Sequence, residues 1–422
     1  MNIKLSDRFP RYVDHDPKAP VWCVTPNEGR CIHRFFDTPP FSPSGRYVAA
    51  TRLPFEDRLN APGETAQIVL IDLTNGEEKV VYQTAGWEPQ MGANVNWGPD
   101  DHTLLFNDVD AESWRPLLVK LDPLTGDFEK AFGGIYQASP DGRWCSSTSM
   151  ERTRRTQIGY GVVVPDDMTP RNIGAPDDDG LFITNVQTGE RKLVFSLADA
   201  VKLIPELDGV DVDEWEVYGF HSKWNPRGDR LIFTVRRYRN TGRREWNMIG
   251  RGALRFDVFT IRPDGTDAFN AVPAVAWCRG GHHINFCPDG EHLSMNLGAF
   301  AEQLRFARVR YDGWGLQPYL WDVVGSGHPT AHPDGRHILT DAYAHESLAF
   351  DDASIPLRWV DRQTGAVENL LRIHAKVEPQ NHGALRVDAH PAWDRDWQWI
   401  AFNGVADNTR RLYVADLRSL IG

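Results

Sequence analysis

"INFCPDGEHLSM", Ile284 to Met295, sets a Pro-Asp-Gly turn between a short apolar approach and an alternating apolar run. This is how a β-hairpin reads in sequence, since Asp and Gly accept the turn backbone and a period of two buries one face of each strand. Related strings occur six more times: "FSPSGRYVAA" from Phe41, "WGPDDHTLLF" from Trp97, "ASPDGRWCSS" from Ala138, "WNPRGDRLIF" from Trp224, "AHPDGRHILT" from Ala331 and a degenerate "WDRDWQWIAF" from Trp393. Each is followed, in register, by a second shared string such as "IVLIDLTNG" (Ile68 to Gly76), "LVKLDPLTG" (Leu118 to Gly126) or "LRWVDRQTG" (Leu357 to Gly365).

Two hairpin signals per unit make a four-stranded antiparallel blade, and seven blades arranged radially leave only short, protected edges. The sequence therefore predicts an all-β fold, a seven-bladed β-propeller formed by residues 1–422 as a single domain. The last unit ends after its third strand, so the outer strand of that blade is expected from the N-terminal stretch "PVWCVTP" (Pro20 to Pro26). Uneven spacing of the turns predicts long inserted loops at about 149–180 and 236–255, and insertions in repeat folds gather on one face.

Composition narrows the function classes. A net charge of −12 disfavours nucleic acid and anionic membrane as partners, both of which require a dominant basic surface. Five cysteines form no even framework, and neither an apolar span nor a secretion signal is present, so a cytoplasmic protein is expected, as a monomer or small homo-oligomer. Cys278 and Cys287 lack metal-knuckle spacing and read as small buried thiols.

The residue five places before each turn proline is placed at the start of the inner strand, facing the expected central channel. It is Thr38, Asn94, Ile135, His221, His283, His328 and, by the degenerate match, His390. Four consecutive blades thus place histidine at one position, and radial geometry is expected to gather these side chains. Three neutral imidazoles suit Mn, Zn, Ni or Fe, with a fourth left for proton transfer; polar groups merely lining a wet channel are the bland alternative. On an extended strand Asp388 shares a face with His390 and could ligate or orient, or simply cap a turn, while His282 points away from His283.

Arg236 to Arg255 holds seven arginines, Arg236, Arg237 and Arg239 among them, against one acidic residue, Glu245. Arg152, Arg154 and Arg155 continue the theme. Such a run is either a solvated loop or a clamp for carboxylates, which guanidinium binds in bidentate fashion.

The strings "GGHHINFCPDG", "GSGHPTAHPDG" and "DAHPAWD" resemble the β-propeller polysaccharide lyases, oligogalacturonate lyases above all and propeller ulvan lyases in architecture. The specific part of the resemblance runs from Gly219 to Asp394. It implies an intracellular enzyme that cleaves an anionic, uronate-containing oligosaccharide by β-elimination, with a divalent metal ion (Mn, Zn or Ca) held by histidines. His328 and His390 match that pattern's ligands, with Asp388 and His283 as further candidates; the family's Gln-x2-His-x-His reads here Leu385-x2-Asp388-x-His390. The resemblance implies a base, for which His221 with nearby Tyr218, His283 and Tyr160 are candidates, and a carboxylate anchor, for which Arg279 stands beside the histidine pair. The competing reading is a non-catalytic propeller that binds a ligand or protein on the same face.

Overall fold

The structure, a computed structural model, describes residues 3–240 and 253–421. It is an all-β seven-bladed propeller, with the strands grouped into seven antiparallel sheets in chain order. Blade one is typical: Cys31–Ile32, Tyr47–Arg52, Ala66–Asp72 and Glu77–Thr84, each paired with the next. The last sheet runs Ala392–Trp393, Trp399–Ala406 and Thr409–Asp416, and Val21–Cys23 then pairs antiparallel with Thr409–Asp416, placing Val21 opposite Ala415. The expected closing strand is therefore present. Arg11–Tyr12 adds a fifth strand to this sheet that the repeat pattern did not foresee. Among the described residues no helix is long and apolar enough to cross a membrane.

Contacts group the chain into two compact units. One comprises Met1–Phe106, Val119–Glu129 and Ser326–Gly422, and it holds blades one, six and seven. Its cores include a cluster of Ile355, Leu357, Leu371, Ile400, Phe402 and Tyr413. The other comprises Asn107–Leu118 and Lys130–Gly325, and it holds blades three, four and five around residues such as Leu231, Phe233, Val235 and Phe259.

The turns show why the repeat is legible. In blade six the Asp334 carboxylate accepts from Arg336 N at 2.8 Å and His337 N at 3.0 Å, and Gly335 sits at φ 68°. Asp289 does the same in blade five, accepting from Glu291 N and His292 N. The degenerate seventh copy keeps the device with a different residue: Asp394 accepts from Gln398 N and Trp399 N, and Trp397 takes the left-handed conformation at φ 59° without being glycine. A side chain in that region costs on the order of 1 kcal/mol, which a packed tryptophan can offset.

The two expected insertions begin at the ends of blade strands. Residues 149–180 contain a short helix, Met150–Thr153, and a 3-10 turn, Asp166–Met168. The described ends of the arginine-rich stretch lie on a strand pair: Leu231–Arg239 pairs with Arg255–Ile261, with Arg237 opposite Arg255. Residues 241–252, including Arg243, Arg244 and Arg251, lie outside the described residues.

Burial would raise the Asp334 carboxyl, but the His337 ring at 2.6 Å and the two backbone N–H groups outweigh it and hold the group down to about 2. A carboxyl lowered in the folded state contributes stability above its ordinary value of 3.8, and that contribution is lost as pH falls towards about 2. Asp334→Asn is therefore expected to lower unfolding free energy by about 1 kcal/mol at pH 7. The gap to wild type should close between pH 4 and pH 2 in denaturant titrations; a gap independent of pH would refute the assignment.

Candidate metal centre

The unit that contains blades six and seven brings His328, Asp388 and His390 together, their ligand atoms all within 4.8 Å of one another and all three residues buried. It is the one such group of His, Cys, Asp and Glu side chains among the described residues.

The backbone reaches this arrangement by a route other than the extended strand expected. The inner strands of blades six and seven are only two residues long, Thr330–Ala331 and Ala392–Trp393, so both histidines precede them. His390 adopts φ 48°, and Asn94 and His283 at the equivalent positions adopt φ 60°. In blade six the left-handed residue is Gly327, one place before His328, at φ 62°. A Cβ there would lie 2.2 Å from the Asp341 carbonyl oxygen, so glycine is required by space as well as by conformation. Asp388 and His390 thus adjoin through a kink, with Asp388 Oδ2 3.7 Å from His390 Nε2, and not through strand alternation.

Asp341, which the sequence pattern did not single out, organises the pair. Its Oδ1 accepts from His328 N at 2.7 Å and lies 2.9 Å from His328 Nδ1; its Oδ2 accepts from His390 N at 3.2 Å. A carboxylate only accepts, so the His328 proton sits on Nδ1 and the lone pair on Nε2, the form a ligating imidazole needs. Behind His390, Asn403 Nδ2 donates to Asp388 O and Asn403 N donates to Ala389 O. Arg410, fully buried, and Gln90 both donate to carbonyls of the Ala384 to Arg386 turn.

The neighbours are aromatic and cationic. Phe35 packs edge-on against His328 and His390, with ring centroids 5.4 and 4.6 Å away. His33, a buried imidazole absent from the sequence column, lies 6.3 Å from the His390 ring. It was missed because alignment on the turn proline selects Thr38 in blade one. Burial pushes His33 down to about 4. Burial, with the His328 and His33 rings adding to it, likewise holds His390 well below the ordinary imidazole range, so that His390 is neutral. Neither ring nitrogen of His390 has a hydrogen-bond partner among the described residues. Arg386 Nε lies 2.9 Å from Asp388 Oδ2.

Two imidazole nitrogens and one carboxylate can hold a first-row divalent ion such as Mn or Zn. Ca, which prefers an oxygen-rich set, would find one carboxylate here. Leu385 occupies the position where the resemblance has glutamine and is buried, offering no ligand.

The other sequence candidates lie in the second unit. His283 does not join the ligand group. Its ring touches that of His282, with Nδ1 atoms 2.8 Å apart, so the two side chains do not point to opposite faces. His221 is stacked on Phe220 at 3.8 Å, with Tyr136 and Tyr160 at 4.8 and 6.0 Å. Arg236 lies over the Phe220 ring at 3.3 Å and donates to Gln157; burial lowers it to about 9. His221, Tyr160 and Arg236 therefore share one aromatic box.

Tyr218 is elsewhere. It is buried and donates to Glu216 at 2.5 Å, and burial followed by that bond raises it to about 12, the wrong direction for a base. Arg155 and Arg171 pair with the same Glu216, and Arg152 pairs with Asp179. Arg237, buried, pairs with Glu206 and Asp257, and Arg239, exposed, pairs with Glu214 at the surface. Arg279 is exposed, beside the histidine pair.

No family model matches the chain, and no curated protein is significantly similar in sequence. Solved structures are similar in fold. An oligogalacturonate lyase in complex with manganese is 15% identical, covers 98% of this chain and 96% of its own, and gives a TM-score of 0.63. An oligogalacturonate lyase from Vibrio parahaemolyticus is 13% identical over 98% of this chain and 97% of its own, with a TM-score of 0.62. The β-propeller domain of a trilobed protease from Pyrococcus furiosus is 13% identical over 91% of this chain and 96% of its own, at 0.50. At these identities the likeness establishes the propeller fold.

Asp341→Asn is expected to weaken Mn or Zn binding by roughly 10–100-fold, because a group that orients a ligand typically carries that much affinity. Competition with a chromophoric chelator measures it. Equal affinity in the variant would show that Asp341 serves the backbone alone.

Proposed function

We propose that the protein is a lyase that cleaves uronate-containing oligosaccharides by β-elimination. The observation that carries the reading is the buried His328, Asp388 and His390 group, whose donors suit a divalent ion in a site already fixed by Asp341. The two lyase structures of the same fold, one with manganese, support it without assigning the substrate.

The chemistry requires three things. The carboxylate next to C5 must be neutralised, because the C5 proton is otherwise weakly acidic. A base must take that proton as its electrons form the C4–C5 double bond. The C4–oxygen bond must then break, and the departing oxygen must gain a proton to leave as a hydroxyl. A divalent cation, when bound, supplies the charge that stabilises the carboxylate as electrons move towards it. Arg386, beside Asp388, adds positive charge at the same place. Phe35 and Phe36 keep water away from the histidines, which strengthens every charge interaction there.

For the base, a neutral imidazole has the right range, about 6.5 unperturbed. His283, partly exposed, and His221, in its aromatic box, are the proposed candidates, with Tyr160 beside His221. The substrate is an anionic oligosaccharide, and the protein acts in the cytoplasm.

The test is ultraviolet absorbance on mixing the protein with a panel of uronate oligomers, with and without chelator, since elimination creates a conjugated double bond. A rise with one substrate that disappears on chelation and returns with Mn or Zn is expected, and His390→Ala should reduce it by at least 100-fold. Absence of a rise across the panel in metal-loaded protein would favour a binding propeller.

A further inference from the structure

The adjacent histidines of blade five are built into a β-bulge. Gly281–Phe286 pairs with His292–Leu297, and His282 faces Asn296 while Asn285 faces Ser294. His283 and Ile284 therefore oppose Met295 alone, two residues against one. His283 takes φ 60°, a conformation rare for a side chain, and the ladder is interrupted there. Gly281 admits the close approach that precedes the bulge, where a Cβ would lie 2.7 Å from both Asn296 O and the Trp277 ring.

Two groups hold this arrangement. Lys223, with no exposed surface, donates from Nζ to Ile284 O at 2.8 Å. A buried ammonium is costly, so a bond to the one carbonyl that follows His283 is a specific use of it. On the imidazole side, Asn296 Nδ2 approaches His282 Nδ1 at 3.3 Å, and His283 Nδ1 lies 2.8 Å from the same nitrogen. An amide nitrogen only donates, so His282 Nδ1 is unprotonated, and its single lone pair serves the nearer His283 Nδ1 at 2.8 Å while the Asn296 contact stays long at 3.3 Å. His283 must then supply a proton from its own Nδ1, which leaves its lone pair on Nε2.

We propose that Lys223 and His282 are positioning residues for His283, holding it as the Nδ1–H tautomer with Nε2 presented as the basic or ligating nitrogen. In water the other tautomer predominates for free histidine, so the pair selects the less common form. The geometry stands by itself; the task of His283 Nε2 as the base of an elimination rests on the lyase reading.

Nitrogen-15 spectra of the imidazoles, recorded above the ordinary imidazole titration range, test it. Wild type is expected to show His283 with a protonated Nδ1 and an unprotonated Nε2. His282→Ala and Lys223→Met should each shift His283 towards the Nε2–H form while leaving the His390 signals in place. His282→Asn, whose side-chain oxygen can accept from Nδ1, should restore the wild-type pattern. Circular dichroism reports whether Lys223→Met folds, and His282→Ala carries the test if it does not.

With a responsive uronate substrate, His282→Ala should lower kcat by about tenfold or more with KM within twofold, and His282→Asn should recover most of it. A wild-type His283 protonated on Nε2, or an Nδ1–H signature unchanged in both variants, would overturn the proposal. A tautomer shift with no turnover in wild type on any uronate would support the positioning role and overturn the lyase reading instead.

Discussion

An unpaired strand edge is what a radial set of sheets has to eliminate, and the edge of Thr409–Asp416 is covered by Val21–Cys23. More than stability depends on that pairing. Ten residues beyond it the chain reaches His33, whose N–H donates to Asn403 Oδ1, and Phe35 follows against His328 and His390. The strand that closes the last sheet thus also delivers one wall of the candidate metal centre. Asn403 holds that wall with one end of its side chain and the Asp388 carbonyl with the other.

Much of the architecture was legible because the turns are chemically specific. A Pro-Asp-Gly or Asp-x-x-Thr-Gly string states where a carboxylate will accept backbone N–H groups and where a left-handed residue is needed, as Asp334 with Gly335 and Asp361 with Gly365 show. Seven copies left little choice of fold. The closing strand was legible from a shortage, since the last unit lacked its fourth strand. Asp388 and His390 were legible as near neighbours in sequence, although the reason given, strand alternation, was not the one the backbone uses.

What escaped the sequence is what depends on contacts between distant segments. Asp341 lies 13 residues from His328 and 49 from His390, and nothing in its own surroundings marks it as the group that orients both. The partners of the arginine run were hidden for the same reason. A local excess of positive charge read as either a solvated loop or a ligand clamp, and Glu206, Glu214 and Asp257, which meet Arg237 and Arg239, stand outside it in sequence. Local charge density in sequence measures neither exposure nor availability. The His282 and His283 pair escaped because a bulge is a mismatch between two strands, and a single strand read alone always alternates.

The bulge of blade five makes chain length part of the site. It exists because one strand carries a single residue more than its partner needs, so losing one residue at His283 or Ile284 would restore a regular ladder and remove the kink in one event. The spacing from the histidine pair to the Pro-Asp-Gly turn therefore matters in its own right, and chain length at that point carries information that residue identity alone does not.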